Sequence, residues 1–422
     1  MSPLTRDASP SRLRTQIPAR RPWIPAAGVL LGTGWGSTQI TPMLLVYHQR
    51  LGFSTPTVEA LFGVYAMGLI PGLLVAGRWS DTHGRRPVAI GSAALSLAAS
   101  ISLLAGAQIP AFLFAGRLLA GISSGAAFSA GTAWLREASL PPFGDAAPPA
   151  AGRRAAVAMT AGFAIGPLSA GMIAQWAPAP TSVAYLPHIA LMLAVLFAVR
   201  YTPETWQPTP RSIVHLSNSG ITAASFRSLV APMAPWVFGG PAVAFALLPN
   251  ITGTARAAYG VALTAAVAAL TAIAGVLIQP IAWRLETSGL KTHVGVIGLL
   301  VLTTGLVLAA LTAQARQTWL LIPCALVLGA AYGLCLIAGL LEVQQLAGPG
   351  SLAALTAVYY ALTYLGFGVP YLLALASGLA TYPVLLLLTA ALALATTAQV
   401  QRASRGERHH WQELSRGSSS GN

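Results

Sequence analysis

Charge is the scarcest ingredient of this chain. Its 422 residues include 24 Lys and Arg and only 10 Asp and Glu, together 8%, against roughly 25% charged residues in a typical soluble domain. So few charges cannot clothe a water-exposed globule of this size, and the same composition excludes disordered and fibrous classes. Cysteine is almost absent as well. Cys324 and Cys335 share one apolar run, which rules out a disulfide framework and offers no metal-ligand spacing; both read as small apolar packing residues. Also missing are a phosphate-cradling P-loop and, at helix depth, a His/Glu metal pair or Ser/Lys dyad. Nucleotide-driven work and intramembrane catalysis are therefore disfavoured, and no metal, prosthetic group or other cofactor is expected.

What the chain has in excess is apolar sequence: 55% of residues are hydrophobic and the mean hydropathy is +0.67. A bilayer core takes roughly 20 helical residues per crossing. A membrane β-barrel would instead show alternating segments of about ten residues. Here the runs are long, continuous and rich in Ala and Leu, so an all-α integral membrane protein is expected. Twelve spans are predicted: Pro22–Tyr47, Val58–Ala76, Val88–Ala107, Ala111–Leu135, Ala156–Trp176, Val183–Val199, Leu229–Leu248, Ala258–Trp283, Val294–Leu311, Trp319–Leu340, Leu352–Ala376 and Pro383–Thr397. A stretch with Pro208, Pro210 and Ser219 separates spans 6 and 7. The domain reading is a basic N-terminal tail (1–21), a six-helix bundle (22–200), a linker (201–228), a second six-helix bundle (229–397) and a C-terminal tail (398–422). The first 21 residues hold five arginines and the apolar stretch after them is a full span, so no cleavable signal is expected.

Net charge is +14, but its distribution follows topology. Arg78, Arg85, Arg86, Arg136, Arg153, Arg154 and most other basic residues fall on the side of the N-terminal tail. The opposite side has Arg50, Arg256 and Arg316. By the positive-inside rule both termini and the linker are cytoplasmic. Attraction to anionic lipid accounts for the basic excess without nucleic acid, and a multi-pass plasma (inner) membrane protein is expected. An internal repeat supports two pseudo-symmetric halves: Gly125-Ala126-Ala127-Phe128 recurs as Gly329-Ala330-Ala331-Tyr332, and Gly162-Phe163 as Gly366-Phe367, at one shared offset.

Three motifs carry chemistry. Between spans 2 and 3 runs Gly77-Arg78-Trp79-Ser80-Asp81-Thr82-His83-Gly84-Arg85-Arg86-Pro87, with glycines that permit a tight turn and an acid among arginines. Its plain alternative is a basic cytoplasmic turn. Span 4 holds Arg117 within Arg117-Leu118-Leu119-Ala120-Gly121-Ile122-Ser123-Ser124-Gly125, about six residues or roughly 9 Å from the outer boundary. A charge at mid-span costs roughly 2.5–3.5 kcal/mol on insertion scales, so function is the default; snorkelling to the interface is the alternative. Span 5 contains Gly162-Phe163-Ala164-Ile165-Gly166-Pro167-Leu168-Ser169-Ala170-Gly171, small residues for close helix approach and a proline that removes a helix hydrogen bond. Together these strings resemble the signatures of the major facilitator superfamily, in the twelve-helix drug:proton antiporter branch. The resemblance implies that Gly77, Asp81, Gly84, Arg85 and Arg86 form a latch, with Asp81 engaging the cytoplasmic end of span 11 while the transporter faces outward. Thr82 replaces the usual basic residue. It further implies that Arg117 takes part in proton coupling, and that Gly162, Gly166, Pro167 and Gly171 form the antiporter motif that seals the halves against ion leakage.

The second half has no charge deep in a span. A midplane cavity would draw on Trp35, Gln39 and Tyr65 from the first half and on Trp236, Phe238, Phe245, Tyr332, Tyr359, Tyr360 and Tyr364 from the second. Such a cavity suits a hydrophobic, weakly charged or aromatic compound. Arginine does not release its proton in proteins, so the carrier is sought in Glu59 or His188, towards the outer face, with Arg117 acting on its ionisation. The expected activity is alternating-access, proton-coupled export of a hydrophobic small molecule by a monomer in lipid. The alternatives are transport of a polar metabolite such as a sugar or amino acid, or a non-transporting sensor or scaffold on the same fold.

Overall fold

The computed structural model describes residues 21–206, 224–287, 294–347 and 352–419. Residues 1–20, the whole Pro208–Ser219 stretch and Lys291 lie outside the described residues. In chain order the α-helices are α1 (Trp23–Thr38), α2 (Ile40–Arg50), α3 (Thr55–His83), α4 (Arg85–Ala105), α5 (Ala111–Ala126), α6 (Thr132–Ser139), α7 (Pro148–Trp176), α8 (Pro180–Val183) and α9 (Leu186–Val199). They continue as α10 (Ala231–Ala242), α11 (Leu248–Ile251), α12 (Gly260–Leu277), α13 (Gln279–Thr287), α14 (Val294–Ala315), α15 (Leu321–Leu346), α16 (Leu352–Tyr364), α17 (Val369–Ala376) and α18 (Tyr382–Ser419). Short π-helical turns at Ala127–Gly131 and Val243–Leu247 continue α5 into α6 and α10 into α11.

Among the described residues, eleven helices are long and apolar enough to cross a membrane. Predicted span 1 is not one of them, because its helix is interrupted at Gln39 between α1 and α2. Pro42 explains the break: it has no N–H to offer the carbonyl four residues back and its ring crowds that carbonyl. Several helices outrun their predicted spans. The predicted loop from Gly77 to Gly84 is mostly the last turns of α3, with the reversal at Gly84 alone, and α18 continues to Ser419. Hydropathy marks where a helix is greasy; Arg, Gln and Glu extend it into the polar zone because they are good helix formers.

The lateral surface is apolar. Phe197 (59% exposed), Leu388 (61%) and Leu379 (90%) face outward, an arrangement suited to lipid and not to water. Inside, one cluster draws only on residues from Ala26 to Val199 and another only on residues from Phe226 to Val400. A third joins Tyr47, Phe62 and Tyr65 to Ala242, Ala246, Val261, Tyr364 and Phe367. The repeated glycines sit at matching helix crossings. A Cβ on Gly162 would meet Leu31 O at 2.2 Å and Trp35 N at 2.8 Å, and one on Gly366 would meet Pro235 O at 2.1 Å and Gly239 N at 2.5 Å. The repeat offset separating Gly162 from Gly366 also separates Leu31 from Pro235 and Trp35 from Gly239. The sequence echo is thus a repeated packing contact, α7 on α1 and α16–α17 on α10.

Candidate functional site

Between residues of the two parts of the chain lies a cavity. Its first-half wall includes Ser37, Thr38, Phe62, Tyr65, Arg117, Phe163 and Pro167; its second-half wall includes Phe238, Phe245, Thr271, Tyr332, Tyr364 and Phe367. Aromatic rings interlock around it. Phe238 stacks on Tyr364 with centroids 4.6 Å apart and on Tyr332 at 5.3 Å, while Phe62 meets Phe367 edge-on at 5.0 Å.

Of the cavity residues named from sequence, Tyr65, Phe238, Phe245, Tyr332 and Tyr364 line it. Trp35, Gln39, Trp236 and Tyr360 are not in its wall and have other partners. Trp236 donates to Thr396 Oγ1 at 3.2 Å, so its ring is turned towards α18. Tyr360 packs against Tyr359 at 5.9 Å. Trp35 leans on His188 and Gln39 bonds Ser100. Helical phase decides this, and with every face of these helices apolar the sequence carries no phase signal. Phe62, Phe163 and Phe367 were missed; the Gly162-Phe163/Gly366-Phe367 echo was the signal that could have found the last two.

Arg117 is fully buried and lines the cavity. Its Nε donates to Leu61 O (3.2 Å), Nη1 to Ser37 O (3.0 Å) and Nη2 to Phe62 O (3.3 Å). Its guanidinium lies 4.7 Å from the Tyr65 ring centre, within cation–π range. It thereby ties α5 to α1 and α3, and does not snorkel. Neither Glu59 nor His188 is among its hydrogen-bond partners, so the structure does not bring together the expected coupling trio.

His188 belongs to a network of its own. A backbone carbonyl only accepts, so His188 Nε2–H donates to Gly32 O (2.8 Å). In the neutral ring Nδ1 then accepts from Ser100 Oγ (2.7 Å), which in turn accepts from Gln39 Nε2 (2.8 Å). With the imidazole neutral, every donor in this series of bonds finds an acceptor. Glu59, fully buried near the start of α3, reaches across to the other half: Asn250 Nδ2 donates to its Oε1 at 3.1 Å.

The antiporter string occupies α7. Pro167 leaves Phe163 O without its helical donor, and Thr38 Oγ1 on α1 lies 3.3 Å from that carbonyl as a donor. A Cβ on Gly166 would meet Trp35 O at 2.6 Å, and one on Gly171 would meet Ala265 Cβ on α12 at 2.3 Å. One turn further, Gln175 Oε1 accepts from Val261 N (3.1 Å) and Ala262 N (3.2 Å), capping α12, while its Nε2 donates to Ala258 O (3.0 Å).

The Gly77–Arg86 motif is knotted within the first half. Gly84 has φ +104°, a conformation suited to glycine, and a Cβ there would strike the Glu204 carboxylate. Glu204 caps α4, accepting from Arg85 N and Arg86 N, both at 3.0 Å, a favourable place for an anion. Arg85 pairs with Asp81 and, at 3.3 Å, with Glu137. Arg86 Nη2 donates to Arg200 O. Asp81 is 65% exposed and its carboxylate engages Arg85 of its own half; the start of the eleventh span, where the expected contact would fall, lies outside the residues whose side chains are described. Gly77 lies inside α3, with only Ser129 near its Cβ position, so it is not one end of a turn. Glu204 is an additional member of this knot.

Comparison with known proteins agrees with this geometry. Residues 26–371 match the family model described as Major Facilitator Superfamily. The multidrug resistance protein MdtL of Klebsiella pneumoniae (strain 342) is 37% identical over 89 residues, 21% of this chain and 22% of that protein. MdtL of Escherichia coli O45:K1 (strain S88 / ExPEC) is 37% identical over 87 residues, again 21% and 22%. The chain therefore matches only about a fifth of the length of these curated relatives. Among solved structures, a POT family transporter in complex with 5-aminolevulinic acid superposes with a TM-score of 0.72 at 14% identity, covering 92% of this chain and 96% of that one. The nucleoside transporter NupG gives 0.66 at 16% identity, covering 89% and 98%. At such identities these two speak for the fold alone. With the family model spanning most of its length, the chain belongs to the Major Facilitator Superfamily and is a multi-pass membrane transporter.

Proposed function

We propose that this transporter exports hydrophobic small molecules in exchange for protons, by alternating access. The observation that carries the reading is the cavity shared by the two halves, walled by aromatic rings and, among the described residues, by one buried guanidinium and no carboxylate. Two of its hydroxyls are committed to their own helices: Ser37 donates to Gly34 O and Thr271 to Val267 O. A sugar or amino acid would find few free polar partners there, whereas a flat apolar compound would be well enclosed. The name of the partial MdtL relatives, a multidrug resistance protein, and the Gly166-Pro167 string in α7 favour export of such compounds.

In this reading α1 and α2 together make a twelfth crossing, 22–200 and 229–397 are two six-helix bundles, and both termini lie in the cytoplasm of a cell bounded by this plasma membrane. The chain works as a monomer. The bonded seam from Gln175 to Val261 and from Glu59 to Asn250 then closes the outer side, and the unengaged Asp81 belongs to an inward-facing state. Asp81, Gly84, Arg85 and Arg86 act as the latch that closes the inner side in the opposite state.

The test is transport by purified protein in proteoliposomes under an imposed pH gradient, with lipophilic cations, neutral aromatics and sugars offered in parallel. Gradient-driven movement of the lipophilic compounds is expected. Movement of sugars alone overturns the substrate class, and gradient-independent flux overturns proton coupling.

A further inference from the structure

Two oxygen atoms at the outer seam are left in an arrangement that needs one more hydrogen. Glu59 on α3 is fully buried, and Asn250 on α11 is 9% exposed. Asn250 Nδ2 spends one N–H on Ala246 O (2.7 Å) and the other on Glu59 Oε1 (3.1 Å). Glu59 Oε2 and Asn250 Oδ1 are both buried without a partner. Both are acceptors while Glu59 is ionised, and a buried acceptor without a donor is costly, a buried unpaired carboxylate far more so. Neither the chemistry of Asn250 nor the backbone around it can supply the missing donor, since the amide has already placed both of its N–H groups.

We propose that Glu59 holds a proton in this state and that its Oε2–H donates to Asn250 Oδ1, making an acid–amide pair that fastens the two halves at the outer seam. This rests on the proton-coupled export reading and gives its coupling proton an address. The bond exists only with the proton in place. Loss of H⁺ from the Oε2–H bond leaves a carboxylate facing an amide oxygen, which repels it, and the seam parts. A proton taken from outside restores the acid, closes the seam and is released towards the cavity, which Phe62 lines one turn along α3. One proton inward thus accompanies one outward opening.

Among the described residues, the surrounding elements present few competing groups. The Tyr382 phenol, at the start of α18, is within electrostatic range of Glu59. Arg117 on α5 is held by Leu61 O and Phe62 O, on the same helix as Glu59. On α2 lie Arg50 and His48, whose Nδ1 is bonded to Phe53 O.

The experiment uses the full chain with Cys324 and Cys335 replaced by Ala and with Thr41→Cys in the cavity wall as a reporter. An impermeant thiol reagent is added outside right-side-out vesicles, without substrate, across a pH series. Labelling, expressed at each pH relative to that of the same unfolded chain so that thiolate formation cancels, is expected to rise with pH. In Glu59→Gln, which keeps a donor for Asn250 Oδ1 at every pH, labelling stays low and its pH dependence is lost. In Asn250→Leu labelling is already high at acid pH. A pH dependence that survives Glu59→Gln overturns the proposal, as does labelling of the parent reporter chain that ignores pH, which needs no substitution at the seam. Labelling that follows pH and Glu59 while no lipophilic compound moves supports the seam and overturns the export reading instead.

Discussion

At the scale of single residues, Arg117 shows how a charge becomes tolerable in lipid without a counter-ion. Its fork-shaped guanidinium spreads the charge over three carbonyls on two helices and rests on the Tyr65 ring. An ammonium group is a compact point charge and does not reproduce that fork. Arg117→Lys is therefore expected to leave at least one of these carbonyl contacts unmade and to cost about 1–3 kcal/mol, read as a lower thermal unfolding midpoint in detergent. Leu118→Ala, at a side chain 40% exposed on the lateral surface, should shift that midpoint far less. That Arg117 mattered was legible, because an arginine in an apolar run is conspicuous. What it touches was not: Ser37 and Leu61 are brought to it by helix crossings. His188 teaches the converse. Its neighbours Gly32 and Ser100 are far from it in sequence, so nothing local distinguished a histidine locked neutral in a network from one free to titrate. We therefore expect His188→Gln to reduce stability while leaving the pH profile of transport in place, measured as initial rate against pH in proteoliposomes.

At the scale of helices, glycine placement governs where pairs cross. Gly162 and Gly366 each admit a neighbouring backbone carbonyl into the space a side chain would fill. Valine at either position must push α7 off α1 or α16–α17 off α10, and both variants are expected to lose folded protein, seen as aggregation on size-exclusion chromatography. Gly91→Ala is the control, since a Cβ there meets nothing within 4 Å; removing a glycine from the interior of α4 should stabilise by up to about 1 kcal/mol. Hydropathy read eleven apolar segments in their order, because lipid imposes length on any crossing. It did not show that α1 and α2 are divided at Gln39, and it stopped α3 and α18 too early, because helix propensity and hydropathy part company at the membrane surface. The glycine echo was readable since backbone contact demands one residue type; the cavity aromatics were only partly readable, since a helix that is apolar on all sides does not say which way it faces.

At the scale of the molecule, the two ends of the seam differ in how they are held. The end with Glu59 and Gln175 is bonded across the halves, whereas the Asp81–Arg85–Glu137–Glu204 knot is satisfied within one half. An equilibrium between two such states shifts only by what a contact contributes differently to each. Gln175 accepts from two otherwise free N–H groups at the start of α12 and exists as a cap only while the outer end is shut. Removing a helix cap costs about 1–2 kcal/mol, a factor of roughly 5–30 in a population ratio. Gln175→Leu should therefore favour the outward-open arrangement. With spin labels at Ala177→Cys and Ala257→Cys in a background lacking Cys324 and Cys335, the inter-label distance distribution should gain a longer component relative to the parent. Asp81→Asn should do the reverse or nothing at this end. Among the described residues its carboxylate is held only within its own half, so its loss is expected to take no fastening from this state and to weaken only a state in which it reaches the other half. Were Asp81→Asn to lengthen the Ala177–Ala257 distance as Gln175→Leu does, the two ends would not be acting as opposed fasteners, and the inward-facing assignment would have to be given up.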